Sequence, residues 1–434
     1  RVLDCDVEEP NCHLFLRGNY DNPQPVHAEK PEFDLKECIG CGRCANKCRY
    51  NAIAMVKGTP LVFNDMCHSC GVCAAVCPHD AIKMKPLAIG EILSDLNMKP
   101  FSFAWGRLKV GESQSPMVIS QLQKLAQPEA ITLLDGPPGT ACSAVKTIAA
   151  ADRVILVTEP TPFGAHDLKL ALNLCNELKK PCAVFINRSD ENDNIIEQLA
   201  ATHSVPVVGR IPFSREYARA CCEGLILATE FPTLRGEIIN SFLRMVNEAK
   251  VPLRHEETEE AESGTTVPSA NGSTKNGNYQ EITILSGKGG TGKTSVAGAF
   301  SDLAESRVFA DCDVDAANLK LLLQGNTLYR DRVSLGSLAK IDPFRCMKCG
   351  KCLEQCRFSA ISRNPATGAY QVEEMHCEGC GLCVEICPAR AISEKRAETG
   401  SLMMSEAHGA TLIHADLNTA AENSGKLVSM VRDL

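Results

Sequence analysis

The stretch Ser286-Gly287-Lys288-Gly289-Gly290-Thr291-Gly292-Lys293-Thr294-Ser295 follows the apolar run Ile282-Thr283-Ile284-Leu285 and precedes residues with a helical pattern. A strand that turns through glycines into a helix is a phosphate-binding arrangement. Gly287, Gly289, Gly290 and Gly292 let the backbone curl until successive N–H groups, that of Thr291 included, face one anion. The helix starting near Thr294 adds its positive end. In such a loop Lys293 sits on the outer phosphates, the Thr294 hydroxyl on Mg²⁺ and Ser295 beside them, so the ligands implied are ATP and Mg²⁺. A glycine-rich turn without a ligand is the bland alternative.

Cysteine is the compositional outlier, with 24 residues in 434. Sixteen fall in four runs of the form C-x2-C-x2-C-x3-C: Cys38, Cys41, Cys44, Cys48; Cys67, Cys70, Cys73, Cys77; Cys346, Cys349, Cys352, Cys356; and Cys377, Cys380, Cys383, Cys387. The spacing resembles that of bacterial ferredoxins, where three close thiolates hold a 4Fe-4S cluster and the fourth crosses to its neighbour. The resemblance implies four 4Fe-4S clusters, held by Cys38, Cys41, Cys44 and Cys77; by Cys67, Cys70, Cys73 and Cys48; by Cys346, Cys349, Cys352 and Cys387; and by Cys377, Cys380, Cys383 and Cys356. Disulfides suit short secreted chains, and zinc sites seldom use four cysteines per doubled run. Pro78 and Pro388 follow the last cysteine of the second runs, but Arg49 and Arg357 stand there in the first runs. A positive charge at that place is expected to raise the potential of one cluster in each pair. Gly40, Gly42, Gly71, Gly350, Gly379 and Gly381 suit backbone wrapped closely around sulfide.

The runs expose a repeat of a whole module. RVLDCDVEEPNCHLFL at residues 1–16 returns as RVFADCDVDAANLKLLL at 307–323, and residues 101–125 return at 410–434. The expected organisation is a first partial ATPase module (1–30 and 86–250) with a two-cluster insert at 31–85, a flexible linker at 251–280, and a second partial module (281–340 and 396–434) with an insert at 341–395. The linker is almost without large apolar residues. On this phase the first module's P-loop lies before Arg1 and the second module's later nucleotide-sensing strand beyond Leu434. These 434 residues alone are therefore expected to bind Mg-ATP weakly, at the second module, and to hydrolyse it negligibly.

Apolar strands expected at 153–158, 183–187 and 207–211, with helices at 165–180 and 193–204 between them, predict an α/β fold: a mostly parallel P-loop sheet covered by helices, carrying inserted ferredoxin-like α+β domains. A buried strand ends at Leu133-Leu134-Asp135, followed by Gly136-Pro137-Pro138-Gly139. A closing amphipathic helix is read at 232–250, with Ile238, Ile239, Phe242, Leu243 and Val246 on the sheet. Asp4-Cys5-Asp6 and Asp311-Cys312-Asp313 end equivalent strands, with Cys5 and Cys312 alternating toward the core.

The second lysine, Lys288, makes KGGTGKT resemble the deviant Walker A loop of the MinD/ParA ATPases, which include the nitrogenase iron protein. The resemblance covers nearly all residues outside the linker. It implies that Lys288 reaches across a nucleotide-sandwich dimer, so that the chain works as a homodimer or as a pseudo-dimer of tandem modules. Asp135 and Gly139 then match switch II, with the carboxylate on the Mg²⁺ shell and a backbone N–H near the γ-phosphate. Asp6 and Asp313 match the switch I aspartate that orients water, and Asn187 matches the purine-contacting asparagine. Cys142 stands where the iron protein has a shared-cluster ligand, but that protein's second such cysteine has no counterpart here. Cys12, Cys142, Cys175, Cys182, Cys221 and Cys222 otherwise read mainly as core thiols.

A net charge of −8 disfavours nucleic acid or an anionic membrane surface as partner, and no apolar run reaches membrane-span length. The expected setting is cytoplasmic. The leading expectation is ATP-gated electron transfer toward a redox partner. The alternative is an ATP-dependent carrier or assembly factor that delivers a metal centre to a client metalloenzyme. Spatial positioning on DNA or membrane, as in the partitioning relatives, is a weaker third.

Overall fold

The computed structural model describes residues 1–127, 130–253, 282–284, 293–303, 308–315, 317–407, 410–418, 421 and 424–434. Most of the expected linker, and the loop residues Gly287, Lys288, Gly289, Gly290, Thr291 and Gly292, lie outside the described residues. The chain forms two compact units, 1–10 with 18–135 and 334–398, and 11–17 with 136–333 and 399–434.

The first unit is built on a five-stranded sheet in the order Gln24–Phe33, Ile82–Asp95, Phe103–Leu108, Val2–Asp4, Leu133–Asp135. Val2–Asp4 pairs in parallel with both neighbours, whereas the two long strands that lead into and out of the first insert pair antiparallel. The sheet is thus mixed, because the insert leaves and re-enters through one hairpin. Alternation places Leu3, Cys5, Val26, Ala28, Ile89 and Ala104 in one core with Val118, Ile119 and Leu122 of the helix Ser115–Gln123. Each large apolar side chain buried there contributes about 1.5–3 kcal/mol. The helix can lie this close because residue 106 is glycine, where a Cβ would stand 3.0 Å from Val118 Cγ1 of the helix.

Each insert contains two short helices and a hairpin. The first has Arg43–Lys47, Ile53–Val56 with Thr59–Val62, and Val72–Ala75; the second has Lys351–Gln355, Ile361–Arg363 with Tyr370–Val372, and Leu382–Ile386. Gly42, Gly71, Gly350 and Gly381 precede the four helices at φ of 72°, 81°, 82° and 82°. The left-handed backbone at this one repeated position strains any residue with a Cβ, which explains the repeated glycine.

The second unit holds a parallel sheet in the order Val207–Pro212, Cys182–Ser189, Val154–Thr158, with the helices Pro162–Glu177, Asn194–Thr202 and Pro232–Glu248. It also holds a four-stranded sheet, Val308–Asp311, Ala410–Leu417, Gly400–Ala407, Asn326–Val333. Its first pair is parallel and the others antiparallel, so it repeats the first copy's strand order. No described helix is long and apolar enough to cross a membrane.

Several expectations change. Leu133–Asp135 is an edge strand with Leu133 half exposed, not a buried one. The helix Pro232–Glu248 buries Leu234, Ser241 and Met245, while Ile239 and Leu243 face outward. Close approach decides that face: a Cβ on Gly209 would lie 1.9 Å from Ser241 Oγ, so two small residues set the contact. Cys5 is fully buried, but Cys312 is exposed. The Cys5 N–H donates to Asp135 O at 2.7 Å, and among the described residues the second copy has no strand at that edge. Cys175 and Cys182 are core thiols, whereas Cys221 and Cys222 are exposed, since the helix Arg215–Cys222 buries only Ala220.

Candidate cluster sites and nucleotide site

Cys38, Cys41, Cys44 and Cys77 line one cavity with Phe33, Ile39, Met55 and Ile82. Cys77 comes from the other run, so the crossover arises from the fold: each short helix carries the third cysteine of its run and is followed at once, or after one residue, by the fourth. Cys67, Cys70 and Cys48 are the thiols around Cys73, which is pushed up to about 12, by burial first and then by those neighbours. In the second insert Cys356, Cys377, Cys380 and Cys383 share a cavity with Cys352 and with Cys70 of the first insert. Cys383 is likewise pushed up to about 12, by burial and then by Cys377 and Cys356. Cys352 is raised by burial, with Cys346 and Cys349 adding to it. Cys387 accepts the Ala391 N–H at 3.3 Å.

Apolar cavities lined by four or more thiols offer the donors that a 4Fe-4S cluster needs. The cluster would supply one-electron chemistry or serve as cargo. The chain's own part is to hold thiols whose protons iron must displace, so loading is favoured by rising pH. The outer sets are those built on the first run of each insert (Cys38, Cys41, Cys44 and Cys346, Cys349, Cys352), and the inner sets those built on the second (Cys67, Cys70, Cys73 and Cys377, Cys380, Cys383). Cys41 and Cys349 of the outer sets are exposed, whereas Cys67 and Cys73 of an inner set are buried.

Sequence reasoning missed the braces behind the inner site. Lys30 is buried and its Nζ donates to Asn64 O at 2.7 Å, Cys67 O at 2.8 Å and Glu112 at 3.0 Å. Gln114 Nε2 donates to Cys67 O at 2.9 Å and Ser69 Oγ at 3.0 Å. A lysine within a strand pattern carries no sign of burial, and Glu112 is far from it in sequence. The two arginines in place of proline also have partners that the sequence did not reveal. Arg49 reaches Glu394 at 2.5 Å and Ser337 Oγ at 2.5 Å, and Arg357 faces Glu29 at 3.8 Å.

At the candidate nucleotide site Lys293 begins the helix Lys293–Leu303, and its Nζ lies 2.6 Å from Asp313 Oδ2. Asp311 braces the loop between: its Oδ1 accepts the Asp313 N–H at 3.2 Å and its Oδ2 the Leu319 N–H at 3.0 Å. Burial raises its carboxyl above the usual range. Asp4 accepts the Asp6 N–H in the same way at 3.2 Å. The first aspartate of each Asp-Cys-Asp thus holds the turn and the second is presented. Thr294 is half-buried and Ser295 exposed on the helix. Beside them Lys320 pairs with Asp416 at 2.6 Å, and Asn318 Nδ2 donates to Asp167 at 3.5 Å, from the helix Pro162–Glu177. None of these four was legible as part of a site.

Asp6 and Asp135 belong to the first unit; Lys293, Thr294, Asp313, Gly139 and Asn187 belong to the second. Asp135 is exposed at its strand end in register with Asp4, Gly139 has φ of 81°, and Asn187 is half-buried near the end of Cys182–Ser189. Cys142 is half-buried at the start of the helix Cys142–Ala150.

The model of the 4Fe-4S dicluster domain family matches twice, at residues 32–84 and 339–393. Among solved structures, the MinD cell division protein of Aquifex aeolicus is 18% identical, with 38% of this chain and 71% of that chain covered and a TM-score of 0.29. The cell division ATPase MinD of Pyrococcus furiosus is 13% identical, with 57% and 85% covered and a TM-score of 0.31. The uncharacterized protein MJ0579 of Methanocaldococcus jannaschii is 27% identical over 230 residues, 51% of this chain and 78% of that protein. Its neighbour in name, the uncharacterized protein MJ0578 of the same organism, is 32% identical over 214 residues, 49% of this chain and 75% of its own length. With two dicluster domains and three quarters of that relative matched, the chain belongs to the family of M. jannaschii MJ0578.

Proposed function

We propose that this chain is a P-loop ATPase of the MinD/ParA type that handles iron–sulfur centres, as an ATP-dependent carrier or assembly factor for a client metalloenzyme. The observation that carries this reading is the exposure of Cys41 and Cys349 at the outer cysteine sets, each beside an exposed apolar residue, Ile39 at 64% and Met347 at 63%. A centre held there is reachable by an acceptor, and an apolar rim suits protein contact. In this reading ATP sits on the loop before Lys293, Lys293 neutralises the outer phosphates and Thr294 holds Mg²⁺. Asp313, and Asp6 in the other copy, orient water, while Asp135 and Gly139 act as switch II. Asn187 contacts the purine, and Lys288 completes the site of a homodimer or pseudo-dimer in the cytoplasm.

The test is transfer from the fully loaded chain to an iron-free 4Fe-4S acceptor protein. MgATP should move iron to the acceptor, and a non-hydrolysable analogue should not. If every centre is retained through many ATP turnovers while electrons pass to an acceptor dye, the second reading holds: ATP-gated electron transfer to a redox partner. The juxtaposition of Cys70 and Cys380 favours that second reading, because it brings ligands of two different inserts together.

A further inference from the structure

Cys70 and Cys380 are each the second cysteine of the second run of their insert, and the two side chains meet, Cys70 lining the same cavity as Cys380. His68 and Glu378 are each the residue after the first cysteine of that run, and they too meet, Nδ1 to Oε2 at 3.6 Å. The helices Val72–Ala75 and Leu382–Ile386 are equivalent and pack on each other. Arg49 and Arg357 each follow the last cysteine of the first run. Arg49 bonds Ser337, which stands five residues before Asp342, and Arg357 faces Glu29, which stands five residues before Asp34. Equivalent residues meet each other, and each contact recurs with the copies exchanged, only when two like surfaces associate about a two-fold axis.

We infer that the ferredoxin-like insert carries a self-pairing surface, with an approximate two-fold axis between Cys70 and Cys380, and that pairing of the two inserts closes the inner cysteine sets against solvent. The partner is a second, unlike copy of the same insert. At the axis one copy offers His68 and the other Glu378; two second inserts would set carboxylate against carboxylate. Off the axis, the Tyr50 hydroxyl donates to Glu378 O at 3.2 Å, with its ring stacked on His68 at 3.7 Å, while Phe358 stands at the equivalent place without a hydroxyl. Lys47 meets Glu385 at the same seam. These pairs are mostly part-exposed, so they fix register and partner more than they add stability. The inference rests on the iron–sulfur reading of the inserts, but not on the ATP-dependent transfer proposed above.

The experiment uses the full chain, loaded with iron anaerobically. Wild type, Arg49→Glu, Arg49→Glu with Glu394→Arg, the milder Arg49→Ala, and the control Lys57→Glu are compared by amide hydrogen exchange over 68–76 and 378–386, and by the rate of iron release to a chelator. In wild type, release should be biphasic, with a slow half from the inner sets. Arg49→Glu should raise exchange in both segments and speed the slow half by roughly tenfold. Arg49→Ala should do so more weakly, the charge swap should restore both, and Lys57→Glu should change neither. Unchanged exchange at 378–386 in Arg49→Glu and Arg49→Ala, or monophasic release from wild type, overturns the inference. Neither readout involves ATP or a client, so failure of the transfer assay leaves it standing.

Discussion

Lys293 Nζ lies 2.6 Å from Asp313 Oδ2, joining the last lysine of the phosphate loop to the aspartate after the next strand. Both side chains are about one third exposed, 33% and 39%, so the pair contributes only about 0–1 kcal/mol to folding. Lys293→Ala should therefore leave thermal unfolding nearly unchanged while weakening MgATP binding by about 2–5 kcal/mol in calorimetry. Asp313→Asn should keep binding and lower hydrolysis by about 10²–10⁴-fold. Wild-type affinity in Lys293→Ala would remove Lys293 from the phosphate site.

Lys288→Ala separates the second loop lysine from the first. Its nucleotide affinity should stay near wild type, while ATP-dependent association, read by light scattering, and turnover both fall. A binding loss equal to that of Lys293→Ala would rule out a role across a paired site.

Iron content tests the crossover of the cysteine runs. The loaded chain should hold about sixteen irons, and Cys77→Ser should lose about four. Cys38→Ser combined with Cys77→Ser should lose no more than Cys77→Ser alone, whereas Cys67→Ser combined with Cys77→Ser should lose about twice as much. The reverse pattern would mean that each run fills its own site.

Lys30 and Glu112 form an ion pair at 3.0 Å with side chains 4% and 5% exposed. Lys30→Met strands a buried carboxylate and frees two carbonyls, so stability should fall by about 3–5 kcal/mol in denaturant titration. Because Lys30 holds Cys67 O, iron from the inner set of the first insert should be lost before the outer.

His414 is buried, with Nε2 3.0 Å from Ser405 Oγ, and burial lowers its pKa to about 4. The unfolded chain then binds the proton first. The stability contributed by the neutral ring is fully present above about 6.5 and is lost as pH falls from there to about 4, up to about 3 kcal/mol. His414→Gln should flatten this part of the stability–pH curve; an unchanged slope would assign it to other groups.

The sequence by itself determined what short-range chemistry fixes. All four cysteine runs fall inside the dicluster matches at 32–84 and 339–393, and they were legible because three cysteines of each run lie within seven residues. Strand–helix alternation gave the parallel sheet at 154–212, and the Asp-Cys-Asp repeat gave two equivalent strand ends. Tertiary structure decided whatever depends on which surface meets which. Periodicity showed that the helix Pro232–Glu248 was amphipathic, but the close approach of Ser241 to Gly209 chose its buried face. Cys5 and Cys312 share a motif, yet the strand Leu133–Asp135 buries only the first. Arg49 read as a charge beside a cluster, and its partner Glu394 lies in the other insert. The meeting of Cys70 with Cys380 has no signal in local pattern, since a contact between residues so distant in the chain is set by packing and not by spacing.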